Sequence, residues 1–168
     1  MPDDAIKKAG ADAPDDTAAR RAWMAVLAKA GADEIQSLWE TVEPKPEYTF
    51  LRRPEPGLMM VQARAGGTGS RFNAGEMTVT RCAVHCPVGD GPRGVTGFAW
   101  IAGRNRRHAE LAAVFDALLQ MPERRTAIDG AVIAPLRAAQ AARRADSARK
   151  AAATRVDFFT MVRGEDEK

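Results

Sequence analysis

Between two strand-like runs the chain reads Gly66-Gly67-Thr68-Gly69-Ser70-Arg71-Phe72-Asn73-Ala74-Gly75-Glu76. Four glycines in ten residues allow positive φ angles and close backbone approach, which suit neither a helix interior nor a regular strand. The stretch therefore divides its surroundings into strand, loop and strand. It is longer than a two-residue hairpin turn requires. One reading is a glycine-rich connection without a ligand. The other is an anion cradle in which Gly67 and Thr68 supply backbone and Arg71 a planar guanidinium fork.

Familiar phosphate loops can be tested against it. A dinucleotide fingerprint begun at Gly67 would place Phe72 where glycine or alanine must stand. Residues 77–84 then alternate and carry β-branched side chains instead of opening a helix. No Gly-Lys-Ser/Thr triplet occurs, which rules out a Walker loop. Arg64 to Gly69 does fit the Arg-x-x-Gly-x-Gly loop of acyl-coenzyme-A-dependent transferases. That loop, however, delivers a pyrophosphate to a helix N-terminus, and a strand follows here.

Strand candidates fall at 47–53, 58–65, 76–86 and 94–102. Pro54-Glu55-Pro56-Gly57 reads as the first turn and Asp90-Gly91-Pro92-Arg93-Gly94 as the third. Consecutive strands without intervening helices pair as an antiparallel meander. Before them, Asp16 or Thr17 can cap a helix reaching about Ala30, stopped by Gly31. A shorter helix carrying Ile35, Leu38, Trp39 and Val42 ends before Pro44 and Pro46. After them, Asn105 caps a helix whose Leu111, Val114, Phe115, Leu118 and Leu119 form one apolar stripe suited to covering a sheet face.

A short link reaches Pro135, and a final helix spans about 136–154. It holds nine alanines between 138 and 153, and no large apolar residue follows Leu136 until Val156. Beyond it come Phe158, Phe159, Met161 and Val162, in a chain with only ten aromatic residues. A weakly anchored helix ending in an apolar cluster reads as an arm that docks on a partner. The expectation is an α+β fold. Residues 1–16 form a disordered acidic N-terminus, 17–135 carry two helices, a four-stranded antiparallel sheet and a covering helix, and 136–168 form the helical arm and docking tail.

Charge and composition exclude several classes. A net charge of +3 does not by itself argue for nucleic acid, although residues 137–155 carry six basic groups against one acidic. No run approaches the roughly 20 apolar residues of a membrane span, and the acidic start lacks the apolar core of a signal peptide. Cys82 and Cys86 on one strand would lie about 13 Å apart, beyond disulfide reach. A reduced, cytoplasmic chain is expected. His85 would point away from both cysteines, and no fourth ligand is in view, so no zinc site is expected.

Arg81 stands among Met77, Val79 and Ala83 on one side of a strand, where a guanidinium needs a partner. Glu76 or Glu110 would make it structural, and a bound anion would make it functional. Arg104 precedes the Asn105-capped helix, whose free N–H groups favour an anion. His108 follows one turn later, in line with Leu111 and Phe115, a spacing equally suited to a satisfied core histidine. No serine, histidine and carboxylate arrangement can be assembled from two histidines without motif context.

Four separated blocks carry a more specific signal. They are Arg21-x-Trp-Met-x-Val-Leu27; Gly66-Gly67-Thr68-Gly-x-Arg71-Phe72-x-x-Gly75 running on to Thr80-Arg81; Gly103-Arg104-x-x-x-His108-Ala109-Glu110 with Asp116-Ala117-Leu118; and residues 156–164, Val-Asp-Phe-Phe-Thr-Met-Val-Arg-Gly. Together they resemble the PhnG subunit family of the bacterial carbon–phosphorus lyase core complex. The resemblance implies a non-autonomous subunit. Its partners are other carbon–phosphorus lyase core subunits: a nucleosidase-like subunit, a third core protein and an ATP-binding-cassette-type protein. It further implies that the complex replaces adenine of ATP with an alkylphosphonate, and that an iron–sulphur radical subunit later cleaves the carbon–phosphorus bond. ATP is then a substrate of the complex, and this chain holds no cofactor or metal of its own. Within the matched blocks Gly67, Thr68, Arg71, Arg81, Arg104 and His108 become the candidate phosphate contacts. An acyl-transferase and a basic nucleic-acid-binding module are the rival readings, and neither accounts for four matched blocks.

Overall fold

The structure is a computed structural model that describes residues 14–89 and 93–155. Helices α1 (Pro14–Leu27) and α2 (Ala32–Thr41) precede strands β1 (Thr49–Arg64), β2 (Arg71–Pro87) and β3 (Gly94–Ala102). Then come α3 (Arg106–Gln120), α4 (Pro122–Ile128) and α5 (Ala134–Ala153). The class is α+β, and the sheet is an antiparallel meander in the order β1-β2-β3.

Among the described residues the sheet has three strands, not four. The expected first turn lies inside β1, which runs on through Pro54, Glu55 and Pro56 while paired with β2. Proline is tolerated here because β1 is an edge strand, and its missing N–H can face away from the neighbour. Register shifts at Phe50/Arg52 and Arg52/Glu55 absorb the irregularity.

The core lies between the sheet and the helices. Every member of the α3 stripe is buried, and α3 packs on the face of the sheet that carries Cys82, Val84, Cys86, Ala99 and Ile101. Trp39 from α2 meets Phe115 edge-on at 5.8 Å. Asn105 caps α3, its side chain accepting from the His108 N–H at 2.9 Å. Gly31 is more than a stop signal. It is the N-cap of α2, and its N–H donates to Glu34 at 2.9 Å.

Side chains from distant elements satisfy helix ends. The last carbonyls of α1 accept from Gln140 Nε2 (Val26 O, 2.7 Å) and from His108 Nε2 (Leu27 O, 2.8 Å). Lys45 Nζ does the same for α2, reaching the carbonyls of Trp39 and Val42 at 2.7 Å. The link before Pro135 is helical. It comprises α4 and a π-helical turn at Asp129–Ile133, and it leads directly into α5. Pro135 lacks an N–H and its ring would crowd the carbonyl of Ala131, and the wider turn relieves that conflict. Ile128, Val132, Ile133 and Leu136 anchor the start of this helical stretch in the core, whereas 141–155 is almost wholly exposed.

Tyr48 donates to Glu110 Oε1 at 2.6 Å, and Arg107 donates to the same oxygen at 2.9 Å. Burial, then the bond to Glu110, pushes the Tyr48 hydroxyl up to about 12. A raised value in the folded state gives stability that is present below pH 10 and lost as pH rises towards 12. A rise from 10.0 to about 12 corresponds to about 2.7 kcal/mol. For a partly solvated group, about 1 kcal/mol is expected. Tyr48→Phe should therefore flatten the fall in melting temperature between pH 10 and 12 relative to the parent chain. Parallel curves for the two proteins would remove Tyr48 from the alkaline transition.

Candidate functional site

The expected phosphate contacts do not form one cluster. Arg64 pairs with Arg71, so the β1–β2 connection is only the six residues 65–70, and the chain from Arg71 onward is strand. Gly66 (φ 59) and Gly67 (φ 80) make the turn, and Arg64 closes it by donating to Gly69 O at 3.1 Å. The glycine-rich stretch is therefore mostly the end of a long hairpin. Arg71 sits exposed at its tip. Arg81, ten residues along β2, is roughly 30 Å away.

Arg81 donates to Glu55 Oε1 at 2.9 Å, and Arg52 donates to the same oxygen at 2.6 Å. The partner is thus neither Glu76 nor Glu110. Arg52 and Arg81 hold the Glu55 carboxyl below the usual carboxylate range. Arg104 follows Gly103 (φ 94), whose N–H donates to Thr78 O at 2.9 Å and whose carbonyl accepts from Thr80 Oγ1 at 2.8 Å. Its side chain is exposed and has no ion pair among the described residues. His108 is buried, facing Leu27 O rather than Arg104's surroundings, and that contact requires the proton on Nε2. Phe158, Phe159, Met161 and Val162 lie outside the described residues.

The cysteines are poor nucleophiles. Burial pushes both thiols up to about 11, so they stay protonated near neutrality. Cys82 Sγ donates to Arg52 O at 3.5 Å. Among the described residues no group of three His, Cys, Asp or Glu could hold a metal ion, and no helix is long and apolar enough to cross a membrane.

Two features with no assigned role in the sequence reading emerge instead. Asp116, within a matched block, is wholly buried and accepts from Arg20 Nε (3.1 Å), Trp23 Nε1 (2.9 Å) and the Phe98 N–H (2.9 Å). It ties α1, α3 and β3 together. The second feature is the sheet face turned away from α3. Cross-strand pairs place Phe98 beside Ala83, Trp100 beside Arg81, Ala102 beside Val79 and Met59 beside Met77 on that face. An antiparallel sheet with one wet face normally alternates apolar and polar residues. In β3 both faces are apolar, since Gly97, Ala99 and Ile101 point inward while Phe98 and Trp100 stand outward. Residues 97–102 (Gly-Phe-Ala-Trp-Ile-Ala) carried this signal.

Among the described residues, Arg71 and Arg104 are exposed cations, and the sheet face beside Phe98 and Trp100 is an exposed apolar surface. The family model described as phosphonate metabolism protein PhnG matches residues 18–164. The Rhizobium meliloti (strain 1021) protein "Alpha-D-ribose 1-methylphosphonate 5-triphosphate synthase subunit PhnG" is 42% identical over 149 residues, covering 89% of this chain and 92% of that protein. The chain belongs to the PhnG family of phosphonate metabolism proteins.

Proposed function

We propose that the chain is a non-autonomous subunit of the synthase that makes alpha-D-ribose 1-methylphosphonate 5-triphosphate. The observation that carries this is the 42% identity to a subunit of that synthase along nearly its whole length. In the reaction the bond from ribose C1′ to adenine breaks, a phosphonate oxygen forms the new bond at C1′, and adenine leaves. The nucleosidase-like subunit of the carbon–phosphorus lyase core is the partner that performs this exchange, in the cytoplasm, with ATP as substrate. This chain shapes that partner and binds no cofactor. The iron–sulphur radical subunit acts on the product.

Two kinds of residue support the role. Arg71, with Gly67 and Thr68 beside it at the hairpin tip, and Arg104 before α3 are exposed cations suited to phosphate oxygens of a neighbouring site. Arg81 already gives its Nε to Glu55, and His108 serves by positioning α3 against α1. Phe158, Phe159, Met161 and Val162 supply apolar docking groups at the end of the arm.

The test is adenine release from ATP and methylphosphonate. The purified chain should give none, and adding the other core subunits should restore it only when this chain is present. Turnover by this chain alone, or full turnover by the other subunits without it, would overturn the proposal.

A further inference from the structure

The open sheet face has the character of a buried surface. Trp100 is 51% exposed, Phe98 46%, Phe72 51% and Met59 39%, and half-buried Met77 joins them along one side of the β1–β2 ribbon. β3 pairs with β2 only from Val79 onward, so residues 57–78 project as a two-stranded ribbon beyond the helices. An isolated two-stranded ribbon is marginal in water. One that also exposes apolar groups marks a contact site. At its β3 side the face runs into a groove of about 510 Å³ between Met24 and Ala25 of α1, Ala28 just beyond it, and the rings of Phe98 and Trp100, with Arg21 on its wall.

We infer that this face, from Phe72 to the Arg21 groove, is the seat of another subunit of the synthase, whose contacting surface is apolar and edged with carboxylates. Charge selects that occupant. On this face Arg52, opposite Ala83, and Arg81, opposite Trp100, have only the Glu55 carboxylate between them, which leaves an excess of positive charge. Arg21, on the groove wall, adds to the excess and has no ion pair among the described residues. A second copy would set arginine against arginine. An acidic partner would neutralise them, and its apolar anchor would fill the groove.

The inference rests on the proposed subunit role, and tryptophan offers a test that separates the two. Trp23 and Trp39 are buried and Trp100 is half exposed, so in the full chain labelled with 5-fluorotryptophan only one ¹⁹F resonance should show a large solvent-isotope shift. Addition of the unlabelled partner subunits should abolish that shift. Phe72→Ser/Trp100→Ser should keep the parent's melting temperature within a few degrees and lower affinity for the partners at least tenfold. Arg21→Glu should lower it similarly, and Gln62→Ser on the other ribbon face should not.

If Trp100 stays solvent-exposed in a complex that contains this chain and releases adenine, the interface is elsewhere while the subunit role stands. Failure of the chain to enter any complex would remove both. Protection of Trp100 in the chain alone would overturn the inference too. It would favour self-association if the protection varies with concentration, and the chain's own tail if deleting 156–168 exposes the ring.

Discussion

Replacing Asp116 with alanine is expected to destabilise the protein by about 3–5 kcal/mol, the cost of removing one partner from a buried charged network. The carboxylate is wholly buried and holds four donor groups from three elements: Arg20, the Trp23 indole, the Phe98 N–H and Gln120. Alanine would leave the Trp23 and Phe98 N–H groups without an acceptor in the interior, at about 1–3 kcal/mol each. Arg20 is one-third exposed and can turn to water. Asp116→Asn should fall short of rescue, because its amide NH₂ would face donors. Guanidinium unfolding of both variants checks this. A loss below 1 kcal/mol for alanine would mean that water or a shifted side chain fills the site.

Gly97→Ala is expected to cost about 2–3 kcal/mol, and Gly97→Val more, at the upper end of overpacking effects. A Cβ at this position would stand 1.9 Å from the Ala113 carbonyl oxygen and 2.7 Å from the Ala117 nitrogen. Both are backbone atoms of α3, so no rotamer change can relieve the clash. β3 and α3 would have to separate, and the Phe98 bond to Asp116 would stretch with them. Gly57→Ala is the control. Its Cβ would meet nothing within 4 Å, and thermal melting should move by less than a degree or two. Equal stability of Gly97→Ala and the parent would show that the α3–β3 contact is looser than the geometry states.

The two predictions concern residues whose importance is not visible from spacing. Gly97 occupies a strand-like run, where glycine weakens local propensity, and only the nearness of α3 explains it. Asp116 interrupts an apolar stripe as any solvated residue might, until Trp23 and Phe98 are found around it.

Other parts of the fold were legible for definite reasons. The α3 stripe repeats with helical period and begins at a side chain able to cap it, so its existence, start and buried face follow from local chemistry. The antiparallel meander follows from short connections between alternating runs. The two strands drawn around Pro54 and Pro56 were misjudged for a physical reason: proline removes a donor, but whether that donor is needed depends on which side has a neighbour. That is a property of β1's place at the edge of the sheet.

The candidate site divides the same way. Short-range patterns singled out Arg71, Arg104 and His108; the last two stand at a helix entry and on an apolar helix face as read, whereas Arg71, read as a loop residue, opens β2. They could not show that the first two lie apart or that the third faces Leu27. Matched blocks along the chain sufficed to establish the family, because family membership is a property of residues in order. Pairing partners, close approaches and the open sheet face depend on which elements meet. Those were decided only by tertiary packing, which brings together residues up to 114 positions apart, as in the Gln140 bond to Val26.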